Sequence, residues 1–191
     1  MRLCHDGYMS ARSAKRTKGA NGKSKKHGAQ HGATPAINAC EAAGIEFTVH
    51  QFPHSDNNFG QEAAHWLETE LGVEADRVFK TLVIELFGKK TGLAVAIVPA
   101  TERLNLKAAA AALGASKADL ADPHAATNAT GYIPGGISPL GQRRKLPTVM
   151  DEIATVNDTI FVSGGRRGWD IELSPSDLEE LTGATIAAIA K

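Results

Sequence analysis

Fifteen residues restrict the possible folds of this chain more than any other stretch: Gly131-Tyr132-Ile133-Pro134-Gly135-Gly136-Ile137-Ser138-Pro139-Leu140-Gly141-Gln142-Arg143-Arg144-Lys145. They hold four glycines, two prolines and one serine, and they end in three consecutive cations. No regular helix accommodates this run, because each proline lacks a backbone donor and glycine is a poor helix former. The run is also too apolar and too closely punctuated to be a flexible linker. Glycines let the backbone approach a ligand and turn its amides inward, which suits an oxyanion or a carbonyl oxygen. A tight connection between two strands is the other reading.

On both sides of this stretch, helix and hairpin patterns alternate without the strict strand-helix-strand repeat of a doubly wound fold. Thr34-Pro35 is a cap followed by a first-turn proline, and Ile37, Cys40 and Ala43 then share one face until Gly44. Glu46 to Phe52 alternates as a short strand, and Asn58 with Gln61 has the spacing of a capping box for a helix running to Leu71. The run Val78 to Phe87, a turn over 88–92 and the run Leu93 to Pro99 make the clearest hairpin. Asn105 to Leu113 and Asp122-Pro123 to Gly131 read as helices, and Thr148 to Met150 as a strand. A second hairpin pairs Thr159–Ser163 with Trp169–Leu173 around Gly164-Gly165-Arg166-Arg167-Gly168, and Ser174-Pro175 caps a closing helix. The expected fold is α/β, a single domain with a mixed, strongly curved, barrel-like sheet surrounded by helices.

Net charge is zero, but residues 1–33 carry eight Lys/Arg against one acid, whereas the remainder carries 13 against 20. A segment so basic and so poor in large apolar side chains cannot offset its ordering entropy, so residues 1–33 are expected to be a disordered arm and 34–191 the folded domain. Such an arm either attracts RNA phosphates or is simply solvated. Two cysteines, Cys4 and Cys40, do not make a disulfide framework. With no run approaching the roughly 18 apolar residues of a membrane span, the expectation is a cytoplasmic protein without membrane contact.

The usual catalytic equipment is missing. The chain has no His-Glu-x-x-His, no Cys-x-x-Cys and no phosphate-binding Gly-x-x-x-x-Gly-Lys-[Ser/Thr] loop. His50, His54, His65 and His124 lack metal-ligand spacing, and Ser138 is not in a Gly-x-Ser-x-Gly elbow. Neither a cofactor nor a metal is called for. An enzyme with these parts relies on positioning and backbone hydrogen bonds, which suffice for activated esters. Lys80 stands out as one ammonium at the start of a strand made of core residues. A lysine there either snorkels from a sheet edge or has a function.

Three groups of residues are recognisable together: Phe79-Lys80-Thr81-Leu82-Val83; Gly131-Tyr132 with Gly135-Gly136-Ile137-Ser138-Pro139-Leu140-Gly141; and Val162 to Gly168 with Asp170-Ile171-Glu172-Leu173. In this order they resemble the YbaK/EbsC family of aminoacyl-tRNA deacylases. The similarity runs from Thr34 to Lys191, with Asn58-Phe59-Gly60 and Asp122-Pro123 also in place. It implies a fold related to the editing domain of bacterial prolyl-tRNA synthetases. It also implies a task, the hydrolysis of tRNA(Pro) wrongly charged with cysteine, an error that one synthetase pocket rejects weakly.

The resemblance implies an essential lysine at Lys80. It sets Gly135, Gly136 and Ser138 against the aminoacyl carbonyl and terminal adenosine, with Thr81, Asp170 and Phe59 among the substrate contacts. Phe52 stands where the family often has tyrosine, so a hydroxyl is lost there. The mechanism implied has the substrate's own thiol attack its ester, which explains the missing nucleophile. Arg143, Arg144, Lys145, Arg166 and Arg167 would meet acceptor-stem phosphates, or else are solvated loop charges. Partners implied are aminoacylated tRNA(Pro) and prolyl-tRNA synthetase. Two other readings stand: a deacylase of the same fold for another group such as Ala-tRNA(Pro), and a non-catalytic module that binds tRNA or a synthetase.

Overall fold

The computed structural model describes residues 33–52 and 59–191, with the backbone only at 59–63 and 71. Residues 1–32 of the expected arm, and the capping Asn58, lie outside the described residues. Helix α1 (Pro35–Ala43) forms as its caps dictate. Thr34 Oγ1 accepts from the Ile37 N–H at 3.2 Å, Pro35 fills the first turn, and Gly44 closes the helix in the left-handed region. Then come β1 (Phe47–Gln51), α2 (Phe59–Leu71), β2 (Phe79–Phe87) and β3 (Gly92–Pro99). They are followed by α3 (Leu106–Ala112), β4 (Lys117–Leu120), α4 (Pro123–Thr130) and β5 (Thr148–Asp151). The chain closes with β6 (Ile160–Arg166), β7 (Trp169–Leu173), α5 (Pro175–Thr182) and β8 (Thr185–Ala187).

These strands make two sheets. One is antiparallel in the order β1-β7-β6; the other, β4-β2-β3-β5-β8, is mixed, with β5 parallel to β3 and β8 parallel to β5. Among the described residues a single parallel bridge, Val78 to Phe161, connects them. The fold is the expected mixed α/β type, but the sheet does not close. The β6–β7 register shifts between Ser163 and Arg166, where Gly164 and Gly165 sit, and the same edge of β2 is taken by β4 from Ile84 to Phe87. A bulge of this kind bends a strand and ends its pairing.

Alternation along the strands divides the interior. Phe79 and Val83 of β2, Ile160 and Val162 of β6, and Ile171 and Leu173 of β7 pack with α1 and with Tyr132 and Leu140 of the glycine-rich loop. On the other face, Phe161 and Val78 pack with Phe52, Ala64 and Leu67, so α2 covers that side. A third cluster joins Ile84, Ala96 and Val98 to Ala109 and Ala110 of α3.

Candidate active site

Strand pairing lines up polar residues across three strands. Asp170 pairs with Ser163 on one side and with His50 on the other. The isolated parallel bridge Val78–Phe161 sets β2 beside β6, with Lys80 two residues past Val78 and Ser163 two past Phe161. Because side chains alternate, Lys80, Ser163, Asp170 and His50 share the face of Val78 and Phe161. Ser163 is a member of this row that sequence reading treated only as part of a hairpin motif. The signal was present in the hairpin itself, since a turn over 164–168 sets Ser163 opposite Asp170.

Lys80 is half-buried, and its Nζ donates to the carbonyls of Ala100 (3.0 Å) and Glu102 (2.5 Å). Burial pulls its pKa down and the Glu102 carboxylate opposes that shift. Two of the three ammonium donors are thus held by backbone, which fixes where the charge sits. Asp170 is buried, and desolvation pushes its pKa up to about 7. Beyond it, His50 Nε2 lies 2.9 Å from Glu172 Oε2 and its ring packs on Phe161. Glu172 also accepts from Thr159 Oγ1 (2.7 Å) and Arg77 Nη2 (3.2 Å). Burial would raise the Glu172 pKa, but Thr159, His50 and Arg77 together hold it below the usual range.

Thr81, next along β2, faces the opposite side with Phe79 and Val83. Its Oγ1 is buried without a hydrogen-bond partner among the described residues. The glycine-rich loop packs on that side too, and its far end reaches the β6–β7 turn. Arg167 Nε and Nη2 donate to the Pro134 carbonyl at 3.2 and 3.1 Å, fastening loop to turn. A Cβ on Gly136 would stand 3.2 Å from the Arg167 backbone nitrogen, and one on Gly165 would stand 2.6 Å from the Tyr132 ring. Gly165 has φ +87°, so that position requires glycine twice over.

Some expected contacts are otherwise engaged here. The Gly136 N–H donates to Ile133 O at 3.0 Å, whereas Gly135 is exposed with φ +84°. Ser138, expected at the substrate, is fully buried; its Oγ accepts from the Leu140 N–H at 3.2 Å, so it shapes the loop from within. Phe52 is buried and stacks on Trp66 with centroids 5.7 Å apart. Phe59 opens α2, and its side chain lies outside the described residues. Arg143, Arg144 and Lys145 are exposed just past the loop, as Arg166 is at the end of β6. Between loop and turn lies an open cleft of about 560 Å³, with Phe52, Ile133, Gly165, Arg166, Gly168 and Trp169 in its walls. Cys40 is buried, and burial raises its thiol to about 11, so it is no nucleophile. Among the described residues no three His, Cys, Asp or Glu side chains form a group that could hold a metal ion. Nor is any helix among them long and apolar enough to cross a membrane.

The model of the aminoacyl-tRNA editing domain matches residues 62–181, which contain Lys80, the glycine-rich loop and the β6–β7 turn. This chain belongs to that family. The editing domain is 36% identical over 156 residues to EbsC of Enterococcus faecalis (strain ATCC 700802 / V583), a protein assigned to Cys-tRNA(Pro)/Cys-tRNA(Cys) deacylation. That match covers 82% of this chain and 92% of EbsC. Among solved structures, a protein described as a trans-editing enzyme for prolyl-tRNA synthetase superposes with TM-score 0.70 at 26% identity, covering 82% of this chain and 95% of its own. The crystal structure of APE2540 gives the same TM-score at 25% identity, covering 83% of this chain and all of its own. The editing domain is therefore an enzyme of the aminoacyl-tRNA deacylase class, and aminoacyl-tRNA is its class of substrate.

Proposed function

We propose that this protein removes cysteine from mischarged tRNA(Pro) in trans, with the substrate's own thiol as nucleophile. The observation that carries the reading is the row of Lys80, Ser163 and Asp170 on one sheet face, beside a loop and turn fastened together. The likeness to EbsC supports the aminoacyl group, and the lack of an available protein thiol or activated hydroxyl among the described residues supports the mechanism. Cys40 is buried with its thiol pushed up to about 11, and Ser138 is spent inside its loop. Ser163 Oγ accepts from the Gly165 N–H at 3.4 Å, and no general base is paired with it among the described residues.

In this reading the cysteine sulfur attacks the carbonyl carbon of its own ester. The C–S bond forms, the C–O bond to the ribose breaks, and the thiol proton ends on the leaving ribose oxygen. The products are a cyclic thiolactone and uncharged tRNA. Lys80, anchored by two carbonyls, orients the ester or terminal ribose, and the exposed Gly135 amide faces the developing oxyanion. One such donor is worth about 3 kcal/mol of barrier. Gly136 joins it only by exchanging its bond to Ile133. Asp170 and Phe52 wall the aminoacyl group, with Phe59 assigned to the same pocket, whereas Thr81, on the opposite face of β2, stands outside it. Arg143, Arg144, Lys145, Arg166 and Arg167 meet the tRNA phosphates, and prolyl-tRNA synthetase is the partner that releases the mischarged product nearby.

The test is deacylation of Cys, Ser and Ala esters on one tRNA(Pro), by wild type and by Lys80→Ala. Expected are cleavage of the Cys ester alone and a loss of at least about 100-fold in Lys80→Ala, the size of one removed transition-state contact. Cleavage of Ala as fast as Cys would move the nucleophile to water. Equal rates in the two proteins would take Lys80 out of the mechanism.

A further inference from the structure

We infer that the cleft between the glycine-rich loop and the β6–β7 turn is a stacking site for an unpaired nucleobase of the substrate's 3′ end, the one preceding the aminoacylated adenosine. The inference rests on the reading of the substrate as an aminoacyl-tRNA, and adds a subsite to it. The cleft, about 560 Å³, is of the size that holds small organic ligands. One wall is Trp169, with the Arg166 guanidinium carbon 5.0 Å from its ring centroid. Ile133 lines the cleft too, 54% exposed although it is a large apolar side chain.

An aromatic ring, a planar guanidinium and an exposed aliphatic side chain around one slot are what a base needs on its two faces. Such stacking tolerates any base, because every base has a π-face. Arg166 adds a positive charge for the adjoining phosphate.

The position along the strand fits the same ligand. The cleft lies at the ends of the strands that carry the polar row: Gln51 and Phe52 follow His50 on β1, and Trp169 precedes Asp170 on β7 with its side chain turned to the opposite face, beside Ile171. A chain whose terminal ribose ester reaches that row has its next base at the strand ends. This subsite contacts a feature common to every tRNA, and so contributes affinity without tRNA identity. EbsC, assigned to both Cys-tRNA(Pro) and Cys-tRNA(Cys), has the breadth such a site would give.

The test has a binding arm and a kinetic arm. In a Trp66→Phe background, where Trp169 is the remaining tryptophan, titration with the uncharged trinucleotide CCA should quench the emission. Arg166→Ala should weaken that binding roughly tenfold, within the range measured for base–aromatic contacts. Inorganic phosphate should leave the emission unchanged; equal quenching by phosphate would make the cleft an anion site and overturn the inference. In the kinetic arm, wild type should show a KM several-fold lower for cysteinyl-CCA than for cysteinyl-adenosine, and Ile133→Asp and Arg166→Ala should close that gap. A gap unaffected by either variant overturns the inference. Quenching by CCA without turnover of any ester would support the subsite and refute the deacylase reading, so the two fail separately.

Discussion

Asp170 and Asp151 show how one residue type serves opposite ends. Burial lifts the Asp170 carboxyl to about 7 from an ordinary 3.8, so the folded protein holds a proton that the unfolded chain has released between those values. Stability from this group is therefore greatest at low pH and is lost as pH rises towards 7. Asp170→Asn, neutral at every pH, should remove a dependence on the order of 2 kcal/mol between pH 5 and 8, read from urea unfolding of both proteins at the two pH values. Asp151 is equally buried but fully engaged. Its Oδ1 accepts from the Ile153 N–H (3.0 Å), and its Oδ2 from those of Ile189 (2.8 Å) and Ala190 (2.7 Å). Asp151→Ala would orphan three amides and should cost about 3 kcal/mol in the same measurement.

Elements announced by local chemistry were legible in the sequence. Thr34, Pro35 and Gly44 bound α1 because a cap, a fixed φ and a left-handed residue act within four residues of their effect. Both hairpins were readable for the same reason, and so was α5, with Ser174 accepting from the Asp177 N–H. Strands β4 and β8 were not. Lys117-Ala118-Asp119-Leu120 has no strand signature of its own and exists by pairing with β2, and Thr185–Ala187 exists by lying parallel to β5. At the site, Lys80 stood out as a cation among core residues, but the burial of Ser138 and the commitment of the Gly136 amide are tertiary facts. Thr34 links these scales: besides capping α1, its hydroxyl donates to Gly164 O at 2.5 Å, tying the helix to the β6 bulge. Thr34→Ala should cost about 1–2 kcal/mol of stability, and Thr34→Ser should restore most of it, as thermal unfolding would show.

Across the whole molecule, charge is distributed rather than balanced. From Thr34 onward acids outnumber Lys/Arg by 20 to 13, yet five of those cations, at 143–145 and 166–167, flank the loop and turn that frame the cleft. In an acidic body, such a cluster gives an approaching polyanion one favourable point of contact. If Arg143, Arg144 and Lys145 meet phosphates, replacing all three by glutamine should flatten the plot of log affinity for tRNA against log salt by about 0.9 per lost contact. Filter binding over a salt series measures that slope, and an unaltered slope would leave the three as solvated charges. The opening of the sheet belongs to this scale as well. The mixture of helices and hairpins suggested one mixed, strongly curved sheet, whereas the strands make two, joined at the Val78–Phe161 bridge.

Tyr132 wedged against Gly165 leaves no room for an added atom on one lip, and Gly136, where a Cβ would stand 3.2 Å from the Arg167 backbone, leaves little on the other. Anyone reshaping this enzyme for a different acyl cargo or oligonucleotide would find Gly165 unalterable and Gly136 tightly constrained. Variation would have to come through side chains that project into the opening, Ile133, Arg166 and Phe52, over a backbone that cannot yield.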